Sequence, residues 1–378
     1  MHSADLLRTP LERVHRELGA KIGAFAGWAM PIEYEGSISE HRAVRERVGM
    51  FDLSHLGKVD VSGPGALPLL QRTFTNDHSR LQVGRALYNL VLNDRGGVEE
   101  DLIAYRLAPD RFFLVPNASN TAKVVAILQE QASSADVVEH AGWCFLGVQG
   151  PRSPEVVGGL FPVAADLPFM GCTESEYRGR QLVLTRSGYT GEVGFELFTE
   201  GASAEDLWTD LMEAGEPFQI EPCGLGARDV LRMEMGYPLY GQDLLPERTP
   251  FEAGLSWAVS FDKGSFRGRD ALERQRREGV FTRLRGLVTE GRRHIPRNHC
   301  AVLADEARVG EVTSGTFSPT IKHGIALAYL SPADRFEPGT EVQIDVRGRI
   351  GPARVVKPPF VDRSPRGRVR LTGRLRLR

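Results

Sequence analysis

From residue 286 to residue 360 the chain is a succession of short apolar runs: GLVTEG, HCAVLAD, ARVGEVTSG, GIALAYL, EVQIDVRG and PARVVKPPF. Turn residues separate them, and helical periodicity is almost absent. Period-two alternation bounded by Gly, Asp and Pro is the signature of half-buried strands. Six such runs in succession restrict this part to a small all-β domain, a barrel or jelly roll, because closing or doubling the sheet protects its unpaired edges.

That domain leaves most of the 378 residues unaccounted for. A single core stops growing well below this length, so two or three domains of ~100–200 residues are expected. No repeat or low-complexity linker divides the chain. The domains are therefore expected to pack closely, with a ligand pocket between them.

The N-terminal half mixes helices and strands. Thr9 as N-cap, Pro10 at the first helical position and Glu12 completing a capping box predict a helix whose buried face carries Leu11, Val14, His15 and Leu18, ending at Gly19. A second helix is predicted over 39–48, stopped by Gly49, followed by a strand over 58–63. From Tyr88 the runs LYNLVL, VEEDLIAYRL and FFLVPNASN read as strands around the turn 93–97, and a long helix is predicted over 118–132. Hairpin turns between strands argue for α+β architecture on antiparallel sheets rather than a doubly wound fold. There is no Gly-rich phosphate loop, no GxSxG elbow and no HExxH or paired CxxC. No metal site is expected.

A net charge of −2 gives no reason to expect a polyanionic partner such as nucleic acid. Arg366, Arg368, Arg370, Arg374, Arg376 and Arg378 do crowd the end of the chain, with no acid after Asp362. A charge run of this kind reads as a solvated, disordered tail and is assigned no function. Cys144, Cys172, Cys223 and Cys300 lie far apart in a chain long enough to need no staples, so reduced thiols are expected. No apolar run approaches a membrane span and no signal or transit segment is read at the start, which points to a bacterial-type cytoplasm.

Three segments carry residues suited to chemistry. Beyond the turn at Gly96-Gly97, alternation puts Glu99, Asp101, Ile103, Tyr105 and Leu107 on one strand face and Val98, Glu100, Leu102, Ala104 and Arg106 on the other. Asp101 thus shares its face with large apolar and aromatic side chains. Burial there would raise its pKa and suit it to a strong bond with a ligand nitrogen; the alternative is an aspartate bonding turn amides. In 224–236, helical spacing sets Arg228 beside Leu231 and Met235. Such an arginine needs an acid, either internal (Asp229 or Glu234) or a ligand carboxylate held by the guanidinium fork. In 188–197, Glu192 and Glu196 oppose Val193, Phe195 and Leu197, and both read as a solvated face.

Seven stretches in order, FAGWAMPIEY (25–34), GMFDLSH (49–55), LYNLVLNDRGGVEEDLIAY (87–105), GYTGEVGFEL (188–197), GLGARDVLRMEMGYPLYGQDL (224–244), TPFEAGLSWAV (249–259) and EVTSGTFSPTIKHGIALAYL (311–330), resemble the aminomethyltransferase, or T protein, of the glycine cleavage system. The resemblance implies an α+β three-domain cloverleaf of mostly antiparallel sheets, with a C-terminal jelly-roll-like β-barrel, around a central folate pocket. It implies a discontinuous folate-binding domain over 1–50 plus 140–245, a ferredoxin-like insert over 51–139, a connecting segment over 246–278, the barrel over 279–362, and the tail over 363–378.

It also implies a reaction. The aminomethyl group on the lipoyl arm of a carrier (H) protein gives its carbon to tetrahydrofolate, the one-carbon acceptor, and ammonia leaves. Asp101 matches the family's catalytic aspartate. Tyr88 and Asn117 match pocket positions flanking it, Glu196 the acid on the pterin ring, and Tyr189 and Arg228 further folate contacts. Leu56 stands where the family usually has methionine, a volume-conserving change. Two alternatives share the scaffold: a standalone tetrahydrofolate-dependent demethylase, and a folate-binding iron–sulfur assembly factor. The latter resembles this chain less, since KGSFRGRDAL (263–272) has Ser265 where that class carries a cysteine.

Overall fold

The computed structural model describes residues 5–366. The six C-terminal runs close into a barrel, in the order Arg283–Thr289, His323–Leu330, Ala307–Ser318, Ala301–Ala304, Glu341–Val346 and Arg349–Val356, every neighbouring pair antiparallel. Closure leaves no edge, and Leu287, Val312, Ala328, Ile344 and Val355 fill the interior.

The preceding residues build one long curled sheet of eleven strands. Its first six are Glu221–Pro222, Gly49–Asp52, Trp143–Gln149, Gly194–Glu200, Arg180–Arg186 and Gly171–Tyr177; then follow Arg85–Leu92, Val98–Ala108, Arg111–Val115, Val59–Ser62 and Asp136–Glu139. Apart from the short first pair, which is parallel, the pairing is antiparallel, as hairpin turns require. A separate three-stranded sheet sets Leu7–Arg8 and Lys21–Phe25 on either side of Trp28–Glu33. The architecture is the expected mixed α+β type.

Local chemistry explains the hairpin at the centre of the large sheet. In the turn, Asn93 Oδ1 accepts from the amides of Arg95 and Gly97 at 2.9 and 3.0 Å, and Gly96 takes a positive φ of 82°. Gly97 is required by a neighbour: a Cβ there would stand 1.8 Å from the Pro246 carbonyl oxygen. The turn is thereby pinned to the segment that leads toward the barrel, where the Val98 amide donates to the Arg248 carbonyl at 2.9 Å.

A buried polar knot joins the large sheet's last helix to the barrel. Arg232, on helix Leu225–Met235, donates to Asp243 Oδ2 at 2.8 Å and to Ser314 Oγ at 3.0 Å. Thr313 and Ser314 of the barrel also donate to the Asp243 carboxylate, at 2.5 and 2.9 Å, and the Tyr329 hydroxyl donates to its backbone carbonyl at 2.7 Å. Such a network orients the two bodies because losing Arg232 or Asp243 would strand the other's buried charge.

Several sequence expectations are corrected. The first helix is shorter, Glu12–Glu17: Thr9 Oγ1 accepts from Leu11 N at 3.3 Å, Glu12 pairs with Arg16 instead of closing the capping box, and Leu18 is exposed. The second spans Ser37–Glu46, and Gly49 opens a strand rather than stopping the helix. The third is Thr121–Gln131, because the Pro116-Asn117 corner occupies the turn before it. Glu192 and Glu196 do not form a solvated face; they are 7% and 8% exposed. Of the arginine-rich tail, residues 367–378 lie outside the described residues. Among those described, the four cysteines are unpaired, and no helix is long and apolar enough to cross a membrane.

Candidate active site

Strand Val98–Ala108 lies between Arg85–Leu92 and Arg111–Val115, and its alternation has the predicted phase: Val98, Glu100, Leu102 and Ala104 are buried, whereas Glu99, Asp101 and Ile103 are half-buried. Leu90 stands opposite Asp101 and Tyr88 opposite Ile103, which places Tyr88 diagonally across from Asp101 on the same face. The Tyr88 hydroxyl donates to Asp101 Oδ2 at 2.9 Å. From the other side Asn117 Nδ2 donates to Asp101 Oδ1 at 3.0 Å. Asn117 is held there by its position after Pro116, with its carbonyl accepting from the Asn120 amide and the Thr121 hydroxyl at the start of the following helix.

Asn117 also ties in Glu100, on the opposite face of the strand. Its amide nitrogens N and Nδ2 donate to Glu100 Oε1 at 2.7 and 2.8 Å, and Asn120 donates to Oε2. Burial pushes both acids up. Glu100 rises to about 8, with the Asp101 charge adding to the effect, and Asp101 rises to about 6, held down by the Tyr88 and Asn117 hydrogen bonds. The two carboxyls titrate as a pair: burial raises both, and the amide donors of Asn117 and Asn120 on Glu100 and the Tyr88 and Asn117 donors on Asp101 act the other way.

A second group lies further along the same strand face. Tyr105 donates to Glu196 at 3.1 Å and Ser187 donates to the same oxygen at 2.5 Å. Burial raises Glu196, and the nearby Arg228 charge acts the other way. Both internal partners considered for Arg228 are taken: Asp229 pairs with Arg232 at 2.8 Å, and Glu234 with Arg45 at 2.8 Å and His41 at 2.9 Å. Arg228 lies instead over the Tyr189 ring at 4.9 Å, and among the described residues its guanidinium has no carboxylate in contact. Burial pulls its pKa down. Tyr189 is fixed by its hydroxyl, which donates to the Pro238 carbonyl at 2.5 Å, and by stacking on Tyr237 at 5.6 Å.

The two groups share one electrostatic neighbourhood. The Asp101 charge raises the Tyr189 phenol, although burial is the larger cause, and Tyr189 in turn acts on Tyr88. All six residues singled out in the sequence are thus brought together: an acid between two donors, a second acid with lone pairs to spare, and an unpaired guanidinium on an aromatic face. This arrangement suits a ligand that presents adjacent N–H donors at one end and develops positive charge near Asp101.

Three further residues belong to this neighbourhood and were not singled out. Glu100 carries only the signal of an acid on the apolar face of a strand. Trp257, 64% exposed, packs its ring 5.3 Å from that of Tyr88. His55 is buried beside Phe25 with Nδ1 unpartnered, and burial, with the Arg228 and Lys58 charges, depresses it to about 3 despite Asp52. Leu56 packs partly buried against the cluster that holds Phe51 and Phe113. Among the described residues no group of three or more His, Cys, Asp or Glu is arranged to hold a metal ion.

Residues 11–263 match the family described as the GCVT N-terminal domain, and 282–362 match the glycine cleavage T-protein C-terminal barrel domain. An aminomethyltransferase of Parafrankia sp. (strain EAN1pec) is 50% identical over 367 residues, covering 96% of this chain and 100% of that protein. One from Mycobacterium tuberculosis (strain CDC 1551 / Oshkosh) is 45% identical over 359 residues, covering 94% and 97%. The crystal structure of the glycine cleavage system aminomethyltransferase T from Bartonella henselae superposes with a TM-score of 0.89 at 35% identity, covering 95% of this chain and 99% of that one.

Proposed function

This chain belongs to the glycine cleavage T-protein family and is an aminomethyltransferase, and we propose that Asp101 is the residue that drives its transfer step. In this reading the one-carbon unit arrives as an aminomethyl group on the lipoyl arm of the carrier (H) protein and leaves on tetrahydrofolate. The observation that carries it is the geometry around one carboxylate: Asp101 is half-buried on its strand, with Tyr88 Oη donating to one oxygen and Asn117 Nδ2 to the other.

A fixed negative charge at low local polarity does two things. It orients the folate nitrogen whose lone pair attacks the aminomethyl carbon, and it stabilises the cationic character that this carbon acquires; the carbon's bonds to nitrogen and to the lipoyl sulfur both break as it joins the two folate nitrogens, whose protons leave with ammonia and with the dihydrolipoyl thiol. Glu196 accepts from the adjacent N–H donors of the pterin edge, since Tyr105 and Ser187 occupy only one of its oxygens. Arg228, stacked on Tyr189 and without an acid of its own, is available to a polar acceptor of the same ligand. Tyr88 and Asn117 complete the folate contacts around Asp101. No step requires a metal.

The distribution of apolar cores supports the domain division. One core draws on Leu11, Val48 and Met50 together with residues from Cys144 to Ile220, as a discontinuous domain over 1–50 plus 140–245 would. Another uses Val59 to Leu128, inside the insert over 51–139. Residues Leu244 to Leu272 of the connecting region pack on the hairpin residues Leu90, Leu92 and Val98. A cytoplasmic location belongs to the same reading. The relatives favour neither the demethylase nor the assembly-factor alternative.

The test is ammonia release from aminomethyl-loaded lipoyl carrier protein by the purified chain. Release that requires tetrahydrofolate and yields methylenetetrahydrofolate is expected. Folate-independent release at the full rate would remove folate, and with it the assigned contacts, from the step.

A further inference from the structure

Glu196 has one crowded oxygen and one open one. Its Oε2 accepts from the Ser187 hydroxyl at 2.5 Å and from the Tyr105 hydroxyl at 3.1 Å, whereas among the described residues no donor reaches Oε1. Tyr105, Thr185 and Ser187 are all buried. They come from separate parts of the fold: Tyr105 from the strand that carries Asp101, Thr185 from strand Arg180–Arg186 directly opposite Glu196, and Ser187 from just beyond that strand's end.

The hydroxyl protons can be assigned. The Ser187 oxygen also lies 2.9 Å from that of Tyr105 and 2.6 Å from that of Thr185. Each hydroxyl has one proton to give. With Ser187 and Tyr105 both donating to Oε2, Thr185 is the neighbour left to donate to Ser187; its other acceptor, the Glu196 carbonyl, is 3.5 Å away. The chain therefore runs one way, from Thr185 to Ser187 to Glu196, and Tyr105 joins at the same oxygen. Ser187 is fixed through its backbone as well. The buried Gln149 donates from Nε2 to the Ser187 carbonyl at 3.1 Å, and it fills the space that a Cβ on Gly188 would need, 2.0 Å from its Oε1.

In the neighbouring strands Glu196 stands opposite Gly147 and Thr185, neither of which ionises, so Arg228 is the charged group that acts on it. Burial raises Glu196, and Ser187, Arg228 and Tyr105 oppose that rise. Burial also holds the Tyr105 phenol well above its ordinary range, so it remains a donor.

We propose that Ser187 and Tyr105 are positioning residues for the folate: by converging on Oε2 they hold Glu196 as an acceptor with Oε1 turned to the pterin N–H edge. The inference rests on the reading that Glu196 contacts the pterin. A Glu196 that lost these donors and took up a proton would present a donor to that edge, and donors facing donors leave buried groups unpaired.

The test measures the folate KM of ammonia release between about pH 6 and 8.5 for the native chain, Ser187→Ala, Tyr105→Phe and the double variant, each single change removing one oxygen. Near pH 6.5 each single change should raise KM roughly tenfold, the effect of one hydrogen bond to a charged group, and the double change should raise it further. The kcat should change much less and keep the limb near 6 assigned to Asp101. As pH rises, KM of the variants should fall back toward the native value, because Glu196 without its donors ionises at higher pH, whereas the native KM stays flat.

A double variant with the native KM overturns the proposal. So does a KM raised by the same factor at every pH with a lowered Tm, which is what loosened packing alone would give. Tyr105→Phe keeps the ring and carries the test if the double variant does not fold. Failure of the native chain to bind tetrahydrofolate would defeat the folate reading itself, a result distinct from native binding with unaltered variants.

Discussion

Glu100 and Asp101 are consecutive residues that face opposite sides of one strand, yet a single amide nitrogen, Asn117 Nδ2, lies 2.8 Å from the first carboxylate and 3.0 Å from the second. Two acids so linked do not ionise independently. Burial raises both, toward about 8 at Glu100 and about 6 at Asp101, and Tyr88 also donates to Asp101. Glu100 thus works as a positioning residue: it anchors Asn117 from beneath the sheet.

Turnover should rise with pH through a limb near 6 as Asp101 ionises. Asp101→Asn is expected to lower kcat by about 10²–10⁴-fold, the range of a positioned acid–base group, while folate still binds. The same change should raise Tm at neutral pH. Because the native state holds this proton more tightly than the unfolded chain does, stability falls as pH rises from the ordinary carboxylate range through about 6. Turnover independent of pH between 5 and 8, or full activity in the variant, would exclude Asp101 from the transfer step.

Glu100→Gln removes the charge that Glu100 can place beside Asp101. Near pH 7 it should keep most of the native rate and should abolish the alkaline loss of activity that the native chain is expected to show near pH 8, where Glu100 ionises against Asp101. Glu100→Ala is a different change: it strands the donors of Asn117 and Asn120 and should cost about 1–3 kcal/mol of stability, with a lowered kcat. A pH–rate profile for the Gln variant superimposable on the native one would show that the charge on Glu100 does not act on Asp101.

Glu196→Gln and Arg228→Gln should act on binding more than on chemistry. On the proposed reading each removes a charged contact to the folate, for which a rise in KM of roughly 10–100-fold is expected, with kcat changed much less. Steady-state kinetics decide the matter: a fall in kcat at constant KM would mean that these groups act in the transition state and not as ground-state folate contacts.

His78 is fully buried beside the rings of Phe74 and Phe112, at 5.6 and 6.1 Å, with neither ring nitrogen bonded. Burial, with Lys263 nearby, depresses its pKa to about 3. The unfolded chain takes up a proton near 6.5 that the native state refuses, so this contribution is fully present above that value and is lost progressively as pH falls toward 3. His78→Leu should therefore raise Tm at pH 5 by more than at pH 8. An equal change at both, measured by thermal unfolding, would contradict the assignment.

Much of the site could be read directly because its geometry is local. The phase of strand Val98–Ala108 puts Asp101 among apolar neighbours, and the Asn93–Gly97 turn sets the hairpin that brings Tyr88 diagonally opposite. Glu192 and Glu196 were not legible in this way. Their alternation is that of an exposed face, but Glu192 is covered by Arg45, far away in sequence and 3.0 Å away in space, and Glu196 by Tyr105 and Ser187. Arg228 posed the converse problem: two acids within reach along its helix are claimed by Arg232, Arg45 and His41.

Alternating hydrophobicity and turn chemistry, which act between residues close in the chain, were enough to determine the strands, the antiparallel class, the barrel and the face on which Asp101 lies. The resemblance along the chain added the reaction. Only the tertiary structure decided which acids lose their water, which arginines are left unpaired and that Asn117 links Glu100 to Asp101. Those outcomes depend on desolvation and on partners supplied by distant segments, quantities that no local pattern of residues encodes.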